Sequence, residues 1–172
     1  MQVSSSIKQQ LEKHHQESFG WSMCCCYRNE EHAKEVLQIA YLKVLEGKAR
    51  FKQQSNFKTW LFSIIRNTAI DWHRKRNRER KTYSLTQASE KVTEASPQDE
   101  IIAKELNAII QDAIQRLPGR QFEVLQLVFY HNLTIEQAAK VMNISLGSAR
   151  THYKRGKAQL KTWLKCRKAE WQ

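Results

Sequence analysis

The side chains best placed to do chemistry in this chain are cations. Between Ser145 and Lys168 lie eight lysines and arginines and no acidic residue. Arg150, Lys154, Lys157, Lys161 and Lys165 recur at three- and four-residue spacing, which on a helix sets them in one row. Like charges so spaced destabilise an isolated helix by ~0.2–0.5 kcal/mol per pair, so something outside the helix is expected to compensate them. A phosphate backbone would do so. The alternative is an ordinary cationic surface helix with its apolar side in a bundle. A second basic segment, Glu46-Gly47-Lys48-Ala49-Arg50-Phe51-Lys52-Gln53-Gln54, mixes cations with one aromatic ring.

Redox or metal chemistry has a weaker basis. Cys24, Cys25 and Cys26 are adjacent, and successive helical residues point about 100° apart, so the three cannot ligate one metal without unwinding. His14, His15 and His32 lie nearby in sequence, which keeps a thiol or metal sensor as the alternative to simple burial of small apolar side chains. No Cys-x-x-Cys, phosphate-binding glycine loop or nucleophile–base set occurs. No catalytic residue, metal ligand or cofactor is therefore assigned.

The elements that must position these cations are helices. The chain has 172 residues, 41% of them hydrophobic, with only 5 Gly and 2 Pro. That is too few turn residues for a sandwich or barrel, so the fold expected is all-α. The net charge of +12 is unevenly spread. Residues 51–80 carry 8 basic and 2 acidic side chains and residues 101–172 carry 12 and 5, whereas 81–100 carry 2 and 4. The acidic stretch also lacks a sustained apolar period and reads as a flexible linker between two small helical domains, 1–80 and 101–172. Apolar runs stop well short of the ~20 residues of a membrane span. Met1 to Gln10 has no signal-peptide pattern, so the cytoplasm is expected, without membrane insertion.

An early helix covers much of 4–27. Ala33, Val36, Leu37, Ala40 and Val44 follow the amphipathic spacing of a helix over about 30–46. Phe57, Trp60, Leu61, Ile64, Ile65, Thr68 and Trp72 repeat it from a start near Ser55, with Ser63, Arg66, Asn67, Ile70 and Arg74 on the polar face. Core packing is the expected use of Trp60 and Trp72. Ser96-Pro97-Gln98-Asp99 starts a fourth helix that runs to about Arg116. Leu117-Pro118 then restarts the chain into a helix whose apolar side holds Phe122, Leu125, Val128 and Phe129. Thr134-Ile135-Glu136-Gln137 has the form of a capping box, Asn143 suits the left-handed residue that ends a helix, and Ser145 caps a last helix. A short helix, a tight turn and a longer cationic helix make a helix-turn-helix.

Both halves then resemble one family. The N-terminal residues are Ala33, Glu35 and Gln38, then Asn56-Phe57-Lys58-Thr59-Trp60-Leu61, Arg66-Asn67, and Asp71 through Arg74. The C-terminal ones are Leu117-Pro118, Leu133-Thr134, Glu136, Ala139, Ile144-Ser145, Gly147-Ser148, Arg150 and Arg155. In this order, over about 11–78 and 105–162, they resemble bacterial RNA polymerase sigma factors of the sigma-70 class, in the small extracytoplasmic-function (ECF) group. The resemblance implies a region 2 bundle of the three-helix type, a linker at 81–100, and a region 4 helix-turn-helix. It also implies a promoter-specificity subunit that is not itself an enzyme, with core RNA polymerase and promoter DNA as partners and an anti-sigma factor as a usual regulator.

By the same resemblance, Glu35, Gln38 and Leu42 dock on core polymerase. Lys48, Arg50, Phe51, Lys52, Asn56, Arg66, Asn67 and Arg74 meet the opened minus-10 strand. Ser145, Gly147, Ser148, Arg150, Thr151, Lys154 and Arg155 face the minus-35 duplex, with Lys157 and Lys161 on phosphate. Two departures stand out: Glu35 where aspartate is common, and Ala138 and Ala149 where the helix-turn-helix core often carries larger residues. The alternatives are an operator-binding repressor that works without polymerase, and sequence-blind nucleic-acid binding.

Overall fold

A computed structural model of the chain describes residues 5–83 and 116–169. The expected linker from residue 84 onward, and the helix expected from Ser96 to about Arg116, lie outside them. Every regular element among the described residues is helical. The chain divides into two compact units, one chiefly N-terminal and one chiefly C-terminal.

The N-terminal unit contains α1 (Ser5–Lys13), α2 (His15–Cys25), α3 (Glu30–Leu45) and α4 (Phe57–Tyr83). The single helix expected over 4–27 is thus two. The chain leaves helical geometry at His14 (φ −99°, ψ 9°), where two adjacent histidines are drawn to different helices. The His14 ring stacks on Phe57 of α4 at 6.1 Å, while His15 Nδ1 lies 3.2 Å from the Tyr41 hydroxyl of α3.

α3 starts where Asn29 Oδ1 accepts from the His32 amide at 2.9 Å, with Glu30 and Glu31 in the first turn favourable to the helix dipole. The expected stripe Ala33, Val36, Leu37, Ala40 and Val44 is wholly buried. Trp21 of α2 and Leu61, Phe62 and Ile65 of α4 are buried as well, and α2, α3 and α4 all pack on one another. Trp21 and Phe62 stack with ring centroids 5.8 Å apart. Trp21 Nε1 also donates to the Phe62 carbonyl at 3.1 Å, so the buried indole N–H is satisfied. Burial of each such side chain is worth roughly 1.5–3 kcal/mol.

In the C-terminal unit, α5 (Gly119–Leu125) passes into a π-helical turn at Gln126–Tyr130, followed by α6 (Ile135–Met142) and α7 (Leu146–Ala169). The expected apolar side holds at Leu125, which is buried, and at Phe122 and Val128, which are half-buried, and the π turn changes it at Phe129. The His131 amide donates to the Gln126 carbonyl five residues back, which widens the turn and shifts its register. Val124 and Leu127 are buried beside Leu125, whereas Phe129 is 55% exposed.

Candidate DNA and partner interface

The helix-turn-helix is fixed by its caps. The Thr134 amide donates to Gln137 Oε1 at 2.9 Å and the Gln137 amide to Thr134 Oγ1 at 3.1 Å, the reciprocal capping box expected from the sequence. Asn143 adopts φ 52°, and the Ile144 amide reaches back to the Ala139 carbonyl at 3.1 Å, which ends α6 in the left-handed way expected. Ser145 Oγ accepts from the Ser148 amide at 3.1 Å and caps α7.

That start leaves Ser145, Gly147, Ser148, Arg150, Thr151, Lys154 and Arg155 all exposed. A Cβ at Gly147 would meet nothing closer than Ser145 Oγ at 3.9 Å, so the approach to the α7 N-terminus is open. Among the described residues no ion pair holds Arg150, Lys154 or Arg155. Lys157 lies over the Tyr153 ring at 5.9 Å. The opposite face is anchored at Ala149 and Gly156, both buried. A Cβ on Gly156 would lie 2.9 Å from Leu125 Cδ1 and 3.2 Å from Gln121 Cβ, so this glycine sets how closely α7 approaches α5. The sequence signal for it is a lone glycine inside a helical period.

The 46–56 loop and the first turns of α4 come together in the N-terminal unit. Phe51 lies 5.4 Å from Phe57 and 5.2 Å from Trp60, and those two rings are 5.3 Å apart. The loop's aromatic is therefore pinned onto α4, and Trp60 is half-buried against it rather than in the central core. Arg50 and Lys52 stand exposed, while Lys48 pairs with Glu46 at 2.6 Å. Asn56 has a structural task, because its Oδ1 accepts from the Thr59 amide at 2.7 Å and caps α4. Asn67 and Arg74 are exposed, Arg74 lying 3.6 Å from Asp71. Arg66 is a correction: expected on the polar face, it is only 6% exposed. One step of about 100° on the helix takes it from the exposed Asn67 position into the packed side.

On α3, Glu35, Gln38 and Leu42 are exposed, Leu42 at 47%. Gln38 and Leu42 border a groove of about 550 Å³ whose wall includes His15, Phe19, Leu37 and Tyr41. Glu35 borders a separate one of about 350 Å³ between α3 and α4, with Ile39, Lys43, Thr68 and Trp72. The stripe is a ridge between two grooves.

Cys26 is buried and Cys24 and Cys25 are half-buried. Burial pushes the thiols of Cys24 and Cys26 up to about 11, against weaker opposing effects of Arg28 on Cys24 and Ser22 on Cys26. Both stay protonated at neutral pH, unlike a thiolate poised for oxidation. No helix among the described residues is long and apolar enough to cross a membrane.

A helical chain whose C-terminal unit presents a capped helix-turn-helix with a solvent-facing cationic reading helix falls in the class of helix-turn-helix DNA-binding proteins. Comparison with known families narrows this: residues 16–79 match sigma-70 region 2 and residues 107–160 match sigma-70 region 4. The chain belongs to the sigma-70 family, in its ECF group. It is 28% identical over 151 residues to the ECF RNA polymerase sigma factor SigW of Bacillus subtilis, covering 81% of each chain. It is 25% identical over 169 residues to the RNA polymerase sigma factor YlaC of the same organism, covering 94% of this chain and 93% of the relative. Its fold is also that of the sigma factor RpoE solved with the anti-sigma factor NepR from Bartonella quintana (TM-score 0.73, 21% identity, 93% and 97% of the two chains). CnrH, solved with the cytosolic domain of CnrY, is similar as well (TM-score 0.64, 17% identity, 95% and 90%).

Proposed function

We propose that this protein is the dissociable promoter-specificity subunit of a bacterial RNA polymerase, acting in the cytoplasm and leaving catalysis to the core enzyme. The observation that carries the reading is the ordered pair of region 2 and region 4 in one chain. In this reading residues 1–80 dock and read minus-10, 81–100 link, and 101–172 read minus-35.

The exposed ridge of Glu35, Gln38 and Leu42 suits a protein partner, since it joins a charge, an amide and an apolar side chain beside grooves. Arg50, Lys52, Asn67 and Arg74 supply cations and polar groups to an opened minus-10 strand. Phe51 holds the loop in place, and Lys48 and Asn56 support it through their own pairings. Ser145, Gly147, Ser148, Arg150, Thr151, Lys154 and Arg155 meet the minus-35 duplex. The open α7 N-terminus suits a phosphate there, and Arg150 a guanine edge. An anti-sigma factor is the regulator this assignment calls for.

Pull-down of the purified chain with bacterial core RNA polymerase, followed by run-off transcription on a pooled promoter library, tests the reading. Core-dependent transcripts from promoters sharing two spaced elements are expected. Specific duplex binding with no core association would overturn it in favour of an operator-binding protein.

A further inference from the structure

The turn between α2 and α3 has a conformation that neither polymerase docking nor the cationic reading helix requires. Tyr27 and Arg28 both have positive φ, 52° and 63°, in the left-handed region where a side chain is strained and glycine is the usual occupant. The Arg28 amide donates to the Met23 carbonyl at 2.8 Å. That bond closes the helix-ending motif in which Tyr27 holds the left-handed position. The tyrosine gains no burial in exchange, being 76% exposed, more than any other large apolar side chain described.

Its ring has a fixed support. It lies 5.4 Å from the His73 ring, tilted by 57°. His73 in turn donates from Nε2 to the Cys25 carbonyl at 3.2 Å and sets its ring edge-on to Trp72 at 5.1 Å. Trp72 is held between His32 at 4.6 Å and the Arg76 guanidinium at 5.0 Å. On α4, His73 falls within about 20° of the buried Arg66 and about 100° from the exposed Arg74, at the edge of the packed side, so Tyr27 covers α4 where it meets the end of α2. Residues 71–79 carry Arg74, Lys75, Arg76 and Arg78 against Asp71 and Glu79. An aromatic face in water beside an excess of cations is what an unstacked base and its phosphate need. Strained residues over-determined by their surroundings gather at such ligand sites.

We propose that Tyr27, backed by His73, is a stacking platform for an unpaired base of the promoter strand. It rests on the initiation reading above and adds a base contact outside the 46–56 loop and the α4 row. A protein surface would also cover the ring, but the surplus positive charge of α4 favours nucleic acid.

The test uses holoenzyme assembled from core polymerase and the full chain, bound to fork-junction DNA carrying a promoter recovered in the run-off selection. 2-Aminopurine is placed in turn at each position in and just upstream of the opened minus-10 segment. Tyr27→Ala is expected to abolish the wild-type fluorescence change at one position and to weaken fork binding about fivefold or more, while Tyr27→Phe keeps both. Tyr27→Gly separates binding from folding: glycine relieves the positive φ, so the melting temperature should rise while fork binding falls as in Tyr27→Ala. Equal fork binding and fluorescence in wild type and Tyr27→Ala would overturn the platform. So would a Tyr27→Ala defect confined to core affinity, which assigns the ring to a protein partner. A wild-type chain that recovers no promoter overturns the initiation reading itself, and the platform with it.

Discussion

Arg150 and Lys157 are both exposed on α7, two turns apart, yet they should behave differently on DNA. Arg150 sits near the capped α7 start, where a planar guanidinium suits the base edge proposed for it. Arg150→Ala should relax preference at one minus-35 base pair by ~1–3 kcal/mol, read from binding to a panel of single-base variants. Uniform weakening across the panel would make it a phosphate contact. Glu17 carries a pH signature. Burial would raise its carboxyl, but hydrogen bonds and charge from Lys58 at 2.6 Å and His14 at 3.0 Å outweigh that and hold it below the ordinary carboxylate value. A lowered folded-state pKa contributes stability above the unfolded-state value that is lost as pH falls through the folded one. In thermal melts, Glu17→Gln should therefore be less stable than wild type at pH 7, with the gap closing in acid below the carboxylate range. Residue type made Arg66 look like a surface cation, whereas its placement on the buried side is a matter of helical phase that only the packing of α4 sets.

At the scale of elements, α5 and α7 meet across Gly156. A valine there would drive a branched side chain into Leu125 and Gln121, so Gly156→Val should destabilise the C-terminal unit by about 1–3 kcal/mol. Melting followed by the tryptophan signal of Trp163 reports it, and an unchanged transition would mean the helices separate at no cost. On α3, Glu35→Lys combined with Gln38→Ala changes only exposed side chains. Core-polymerase affinity should drop at least about tenfold while the melting temperature stays within a degree or two; wild-type affinity would refute the docking ridge. The elements themselves were largely legible: the α3 stripe, the capping box at Thr134, Asn143 in the left-handed region and the Ser145 cap all stand as read. The break at His14 and the π turn were not. Both arise where side chains answer to neighbours distant in sequence, or where one widened turn shifts the register, and local periodicity records neither.

For the whole molecule, the +12 charge makes DNA binding a matter of counterion release. Holoenzyme affinity for promoter duplex should fall linearly in log–log form with salt. If each lysine neutralises one phosphate, as proposed, Lys157→Ala with Lys161→Ala should weaken all sequences alike and reduce the slope by about 2. An unchanged slope would place those lysines away from phosphate. By itself the sequence determined the helical class, the cationic face of α7, the caps and the family, because charge, cap chemistry and apolar period are local properties written in residue type and spacing. Tertiary structure alone decided that Arg66 turns inward, that Phe51 is pinned to Phe57 and Trp60, that Gly156 sets the α5–α7 approach, and that Tyr27 stands strained and exposed over His73. Each depends on which groups from other helices occupy the neighbouring space, and packing between residues far apart in the chain leaves no periodic trace in it.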